Sequence, residues 1–187
     1  MTIEIMILGV SFFFVVLIFF VTVVLLIYAL DSAFGGEDFT TSQLAVEKIA
    51  EILKVRHLEN GYFYDLGSCR GKFAVKLAKE LPNLNILGVD SSWFRIMFSK
   101  AASVFLRNLI FKKGNIFHED ISSADVVFLY LPKELMPDLQ IKLQKELKPH
   151  ALAITNRVSF PSWQPLEIYD LQNSRPVLEK LFIYEKI

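Results

Sequence analysis

The chain has 187 residues, room for one ordinary domain and an appendage, and 53% of them are apolar. Twenty basic residues balance twenty acidic ones, and no basic stripe interleaved with aromatics runs along the sequence, so no nucleic-acid partner is expected. The single cysteine, Cys69, excludes an internal disulfide and fits a reducing compartment, and no His/Cys/Asp/Glu cluster has metal-ligand spacing.

The apolar excess is concentrated at the start. Ile5 to Leu30 contains no charged residue, and as a helix this run would be roughly 39 Å long, against a hydrocarbon thickness of ~30 Å. The preceding flank carries Glu4 and no Lys or Arg, and no small-residue cleavage site follows, so residues 1–30 are expected to be an uncleaved transmembrane helix contacting lipid through residues 5–30. The flanking charges give no vote on orientation. Residues 31–39, DSAFGGEDF, read as a short linker, and residues 40–187 as the domain. Thr40, Thr41 and Ser42 supply N-cap hydroxyls for a helix through about Lys54, with an apolar stripe of Leu44, Ala45, Ile49 and Ile52.

Strand patterns then occur at Tyr62–Leu66, Asn85–Asp90, Leu109–Lys112, Asp125–Leu131, Ala151–Asn156, Leu166–Leu171 and Leu181–Glu185. Helices are expected at Gly71–Glu80, Trp93–Arg107 and Lys133–Leu147. Alternating strands and helices predict an α/β domain with a Rossmann-like, seven-stranded, mostly parallel sheet, and the last two strands form a hairpin. Ligands in such sheets bind beyond the carboxyl ends of the strands.

The most informative stretch is Tyr62 to Asp90: strand, glycine turn, helix, and a second strand ending in a carboxylate. Gly67 and Gly71 permit a tight turn and close backbone approach to a ligand, and Asp90 stands where a carboxylate can accept from a ribose diol. Cys69 and Lys72 occupy two glycine positions of a G-x-G-x-x-G fingerprint, and no G-K-S or G-K-T follows, so a dinucleotide fold and a P-loop are both excluded. The remaining pattern, D-L-G-S-x-x-G, resembles motif I of the class I S-adenosylmethionine-dependent methyltransferases. That resemblance implies adenosylmethionine as cofactor, with Asp65, Gly67, Ser68 and Gly71 around its methionine part and Asp90 on its ribose. Asn115, after the third strand, either accepts from the adenine amino group or is a turn residue. Asp120 either caps the next segment or lines the cofactor pocket, and His118 reads as a solvent-facing loop residue. Because the cofactor is intracellular, residues 31–187 are expected on the cytoplasmic or matrix side of the membrane.

A second segment narrows the resemblance. Val127–Leu131 in the fourth strand, and Asn156, Arg157, Pro161, Trp163 and Pro165 after the fifth, resemble the membrane-anchored protein-lysine methyltransferases that act on the adenine nucleotide translocase and on the c-ring protein of ATP synthase. The resemblance implies a lysine on a membrane-associated protein as acceptor and a channel bordered by Leu131, Pro132, Asn156, Pro161 and Trp163. Trp163 is alternatively an aromatic plug on the core. Cys69 and Arg70 depart from the family's glycine and acid in the turn. A lipid or quinone headgroup is the rival acceptor, and a degenerate, non-catalytic module the rival role. Direct displacement of a methyl group from a sulfonium by an amine needs no catalytic dyad, and no catalytic residue is assigned.

Overall fold

The computed structural model describes residues 2–34, 40–171 and 179–187. The chain divides into two compact units, Met1–Asp38 and Phe39–Ile187. The first is one helix, α1 (Thr2–Phe34), apolar on every side. Its segment Ile3–Ala29 has a mean hydropathy of 3.2 and is long and apolar enough to cross a membrane. Within it the Thr22 hydroxyl donates back to the Ile18 carbonyl at 2.8 Å, which satisfies that polar group inside the helix. The helix continues four residues past Leu30, and the rest of the expected linker, residues 35–39, lies outside the described residues.

The second unit is a seven-stranded sheet in the order β3-β2-β1-β4-β5-β7-β6. Its strands are β1 (Tyr62–Leu66), β2 (Asn85–Asp90), β3 (Leu109–Lys113), β4 (Val126–Leu129), β5 (Leu152–Asn156), β6 (Glu167–Leu171) and β7 (Glu179–Glu185). The first five are parallel, and β7 runs antiparallel between β5 and β6. The strand order runs outward from β1 in two directions, through β2 to β3 and through β4 to β5, so the switch point lies at the carboxyl ends of β1 and β4.

The helices are α2 (Gln43–Val55), α3 (Lys72–Glu80), α4 (Trp93–Ala102) and α5 (Met136–Glu146). Ser42 caps α2 by accepting from Ala45 N at 3.1 Å, and Ala45, Ile49 and Ile52 of the expected stripe are buried while Leu44 is exposed. On one sheet face α2 and α3 pack over Phe63, Phe128, Val126 and Ile154. On the other, Met136, Leu139 and Leu143 of α5 pack over Leu66, Val127, Leu129 and Ala153.

Strand β7 begins at Glu179, two residues before the expected Leu181, and three other elements differ from the sequence reading by more than one residue. Helix α4 stops at Ala102 because Ser103 turns its hydroxyl onto the Lys100 carbonyl, at 3.2 Å, and the chain leaves the helix five residues before Arg107. Lys133–Leu135 form a separate 3-10 turn before α5, since Pro137 has no N–H to donate and fits the first turn of a helix. Strand β4 is shorter than Asp125–Leu131: its ladder ends at Leu129, where β1 and β5 cease to pair with it.

Candidate functional site

The residues singled out from sequence meet at the carboxyl edge of the sheet. The turn after β1 is built from backbone conformations that L side chains rarely adopt: φ is +87° at Gly67, +49° at Cys69 and +73° at Gly71. A non-glycine residue in this region carries a cost of about 1–2 kcal/mol, so Cys69 is strained. The strain is held by hydrogen bonds. Gly67 N and Ser68 N donate to Val89 O at 2.8 and 3.0 Å, Gly71 N to Ser68 O at 2.8 Å, and the Ser99 hydroxyl to Cys69 O at 3.1 Å.

The two glycines have different reasons. A Cβ on Gly67 would stand 2.5 Å from Leu131 Cδ2, so it is the bed for Leu131 at the site's edge. A Cβ on Gly71 would stand 2.4 Å from the Phe111 ring, a helix–sheet packing contact. Gly88 was not singled out, yet its Cβ would meet the same ring at 2.4 Å and the Ser68 Cβ at 3.1 Å. A glycine inside a strand pattern is the signal that could have found it.

Asp65, the penultimate residue of β1, is almost fully buried, and its Oδ2 has no hydrogen-bond partner among the described residues. Burial, and secondarily the negative charge of Asp90, push its carboxyl up to about 8. Ser68 Oγ, also buried, likewise has no partner. Unpaired buried polar atoms are uncommon and costly, and two adjacent ones at a switch point fit a polar ligand with a positive charge. Asp90 ends β2 and accepts from Cys69 N at 2.9 Å and from Ser92 N at 2.8 Å, so it braces the turn from the neighbouring strand. Arg95 of α4 is buried behind it, with Nη1 3.5 Å from Cys69 Sγ.

Asn115 is exposed, and its Oδ1 accepts from Phe117 N at 3.0 Å, the geometry of an Asx turn. Asp120 likewise accepts from Ser122 N at 2.9 Å, which holds its carboxyl below the usual range. The buried Glu119 between them pairs with Lys112 at 2.8 Å, and its carbonyl accepts from Lys142 Nζ at 2.7 Å.

The loop after β5 is secured by the protein itself. Asn156 is buried and donates to Glu179 Oε1 at 2.6 Å, and the same oxygen accepts from Ser42 N at 3.3 Å, so Glu179 ties the starts of α2 and β7 to the end of β5. Asn156 Oδ1 has no hydrogen-bond partner among the described residues. Gln140 of α5 reaches across to accept from Ser162 N and Trp163 N at 3.1 and 3.3 Å. The Trp163 ring, half-buried, lies 5.5 Å from Phe160 and 5.2 Å from Tyr184 between centroids. Pro132 and Pro161 are exposed. Sequence reasoning missed Gln140 and Glu179. Gln140 was detectable as a polar residue interrupting the apolar stripe of α5, whereas Glu179 carries no local signal.

A family model for the ANTKMT methyltransferase domain matches residues 65–167, from the buried Asp65 to the first residue of β6. The chain belongs to this family. It is 30% identical over 138 residues to a protein-lysine N-methyltransferase of Saccharolobus islandicus, covering 71% of this chain and 83% of the relative. It is also 25% identical over 125 residues to the lysine N-methyltransferase of Xenopus laevis named for the ATP synthase C protein, covering 65% of this chain and 54% of that relative. Among solved structures, an RNA methyltransferase from Salinibacter ruber in complex with S-adenosyl-L-homocysteine superposes with a TM-score of 0.68 at 23% identity, covering 79% of this chain and 93% of that one. That likeness shows the class I methyltransferase fold, with the expected seven strands.

Proposed function

We propose that this chain is a membrane-anchored, S-adenosylmethionine-dependent protein-lysine N-methyltransferase whose acceptor belongs to a membrane-associated protein. The observation that carries the reading is one chain joining a domain of this methyltransferase family to a helix of membrane-spanning length. The names of the two lysine methyltransferase relatives support the acceptor class. In this reading residues 1–30 anchor the protein, residues 31–39 are the tether, and residues 40–187 work on the cytoplasmic or matrix side.

The bound cofactor supplies an electrophilic methyl group on a sulfonium. Asp65 and Ser68, with their unpaired buried oxygens, would hold the methionine part, and an ammonium beside Asp65 would stabilise its ionised form. Gly67 and Gly71 shape that turn. Asp90 would accept from the ribose diol, and Asn115 would border the adenine. On the acceptor side, Leu131, Pro132, Asn156, Pro161 and Trp163 would line the approach. An apolar and aromatic passage disfavours a charged amine, so it lowers the lysine pKa from its ordinary ~10.4 and presents a lone pair for in-line attack.

The deciding assay is transfer of radiolabelled methyl from the purified full chain into membranes, followed by separation of protein from lipid. Label in methyl-lysine of protein is the expected result. Label in extracted lipid alone would point to a lipid or quinone acceptor, and no label in either fraction to a non-catalytic module.

A further inference from the structure

The helices beside the cofactor turn carry a surface that the transfer chemistry does not use. Along α4 and the turn that follows, Trp93, Met97, Val104 and Phe105 are exposed by 56, 38, 71 and 94%. Positions 93, 97 and 101 recur about once per turn, and Ala101 is also exposed, so they form one outward stripe away from the buried Ile96 and Ser99, with Val104 and Phe105 exposed just past the helix end. On α3, Lys72, Lys76 and Lys79 are exposed at spacings of four and three, one face opposite the buried Phe73, Ala74, Leu77 and Ala78.

The two surfaces adjoin. Gly71 at the head of α3 lies against Ser99 of α4, and Asn108 after α4 donates to the carbonyls of Ala78, Leu81 and Leu84 at the tail of α3, at 3.0–3.1 Å. Lys100 and Arg107 border the apolar stripe and are exposed. Between Lys72 and Arg107 the only acids are Glu80 and Asp90; Glu80 pairs with Lys54 at 3.1 Å, and Asp90 is buried. Among the described residues, Lys72, Lys76, Lys79, Lys100 and Arg107 pair with no acid.

We propose that this face of α3 and α4 is a membrane-docking surface that lies on an anionic bilayer. It rests on the membrane part of the reading above. Two properties select lipid. Trp, Met, Val and Phe exposed together gain nothing in water but insert readily at the boundary of headgroups and acyl chains, and the unpaired lysines beside them complement acidic headgroups. A spanning helix in the same chain brings the domain within reach of such a surface. Trp93 follows Asp90 by three residues, so docking this face would open the cofactor edge alongside the bilayer, where a lysine just outside a membrane segment can enter.

The test uses the full chain reconstituted in vesicles of phosphatidylcholine with or without phosphatidylglycerol, the acyl chains brominated to quench nearby tryptophan. The chain has two tryptophans, Trp93 and Trp163, and Trp93→Phe identifies the share of emission that belongs to the face. Brominated anionic vesicles should quench that share, neutral ones should quench much less, and Lys72→Glu combined with Lys76→Glu and Lys79→Glu should abolish the quenching while the protein still resists carbonate extraction. Carbonate-resistant protein with unquenched Trp93 overturns the proposal and assigns the face to a protein or nucleic-acid partner. Equal quenching in neutral and anionic vesicles overturns the role of the lysines, and a chain that carbonate strips from the vesicles overturns the anchor on which the proposal rests.

Discussion

Two loops at the same edge of the sheet differ in how far their own side chains hold them. The turn after β1 holds three positive φ values, an unpaired buried carboxylate oxygen and an unpaired buried hydroxyl within seven residues. The loop after β5 holds one positive φ, at Arg157, and one unpaired buried oxygen, Asn156 Oδ1, but its backbone amides are met by Gln140, Asn156 is otherwise held by Glu179, and its aromatics pack against Tyr184. The first region gathers positive φ values and unpaired polar atoms; the second spends more of its side chains on staying in place. Unsatisfied buried polar atoms occur at both loops, so it is the clustering of backbone strain in the first that sets it apart.

Substitutions can break this contrast, and the largest effect is expected at the brace of the first loop. Asp90→Ala removes the acceptor for Cys69 N and Ser92 N and for the proposed ribose, and should weaken adenosylmethionine binding by on the order of 2–4 kcal/mol. Titration calorimetry returning an unchanged affinity would refute that assignment. In the second loop, Trp163→Ala should cost roughly 2–3 kcal/mol of stability, less than a fully buried tryptophan because the ring is half-exposed. It should also lower turnover with little change in cofactor affinity. Denaturation and steady-state kinetics on one preparation separate the two effects, and a loss of cofactor affinity would place Trp163 in the wrong loop. The smallest effect belongs to Gln140→Leu, which leaves Ser162 N and Trp163 N without their acceptor at a cost of about 1–2 kcal/mol; a neutral thermal shift would mean that Gln140 does not hold the loop.

Much of the domain was legible because its signals are local. Gly67, Ser68 and Asp90 follow from a strand that meets a glycine turn and ends opposite a carboxylate, and each stands at the edge where the alternation of strands and helices places it. The end of α4 was not legible, since it depends on the Ser103 hydroxyl choosing a backbone carbonyl over continued helix. The packing of Gly71 on Phe111 joins residues forty positions apart, which no local pattern displays. Glu179 was missed on the same ground, because it binds groups from two distant segments. The basic and aromatic residues of α3 and α4 are separated along the chain and become one surface only when the sheet sets the two helices side by side. A search for an interleaved stripe could not register them.

Asp65 carries the contrast most directly. Its folded pKa, about 8, lies above the ordinary carboxylate value, so the folded state binds its proton more tightly than the unfolded one. This contribution to stability is complete below about pH 4 and is lost as pH rises toward 8. Asp65→Asn should therefore make the cofactor-free protein more stable at pH 8 while it weakens cofactor binding. The decisive measurement is calorimetry of adenosylmethionine binding at pH 7 in buffers of different ionisation enthalpy, for the native chain and for Asp65→Asn. An ammonium drawn beside Asp65 should drive its proton off, so the native chain is predicted to release about one proton per cofactor bound and the variant essentially none. Equal proton release by both chains, or undiminished affinity in the variant, would contradict the claim that the turn after β1 is held in a costly state for the cofactor.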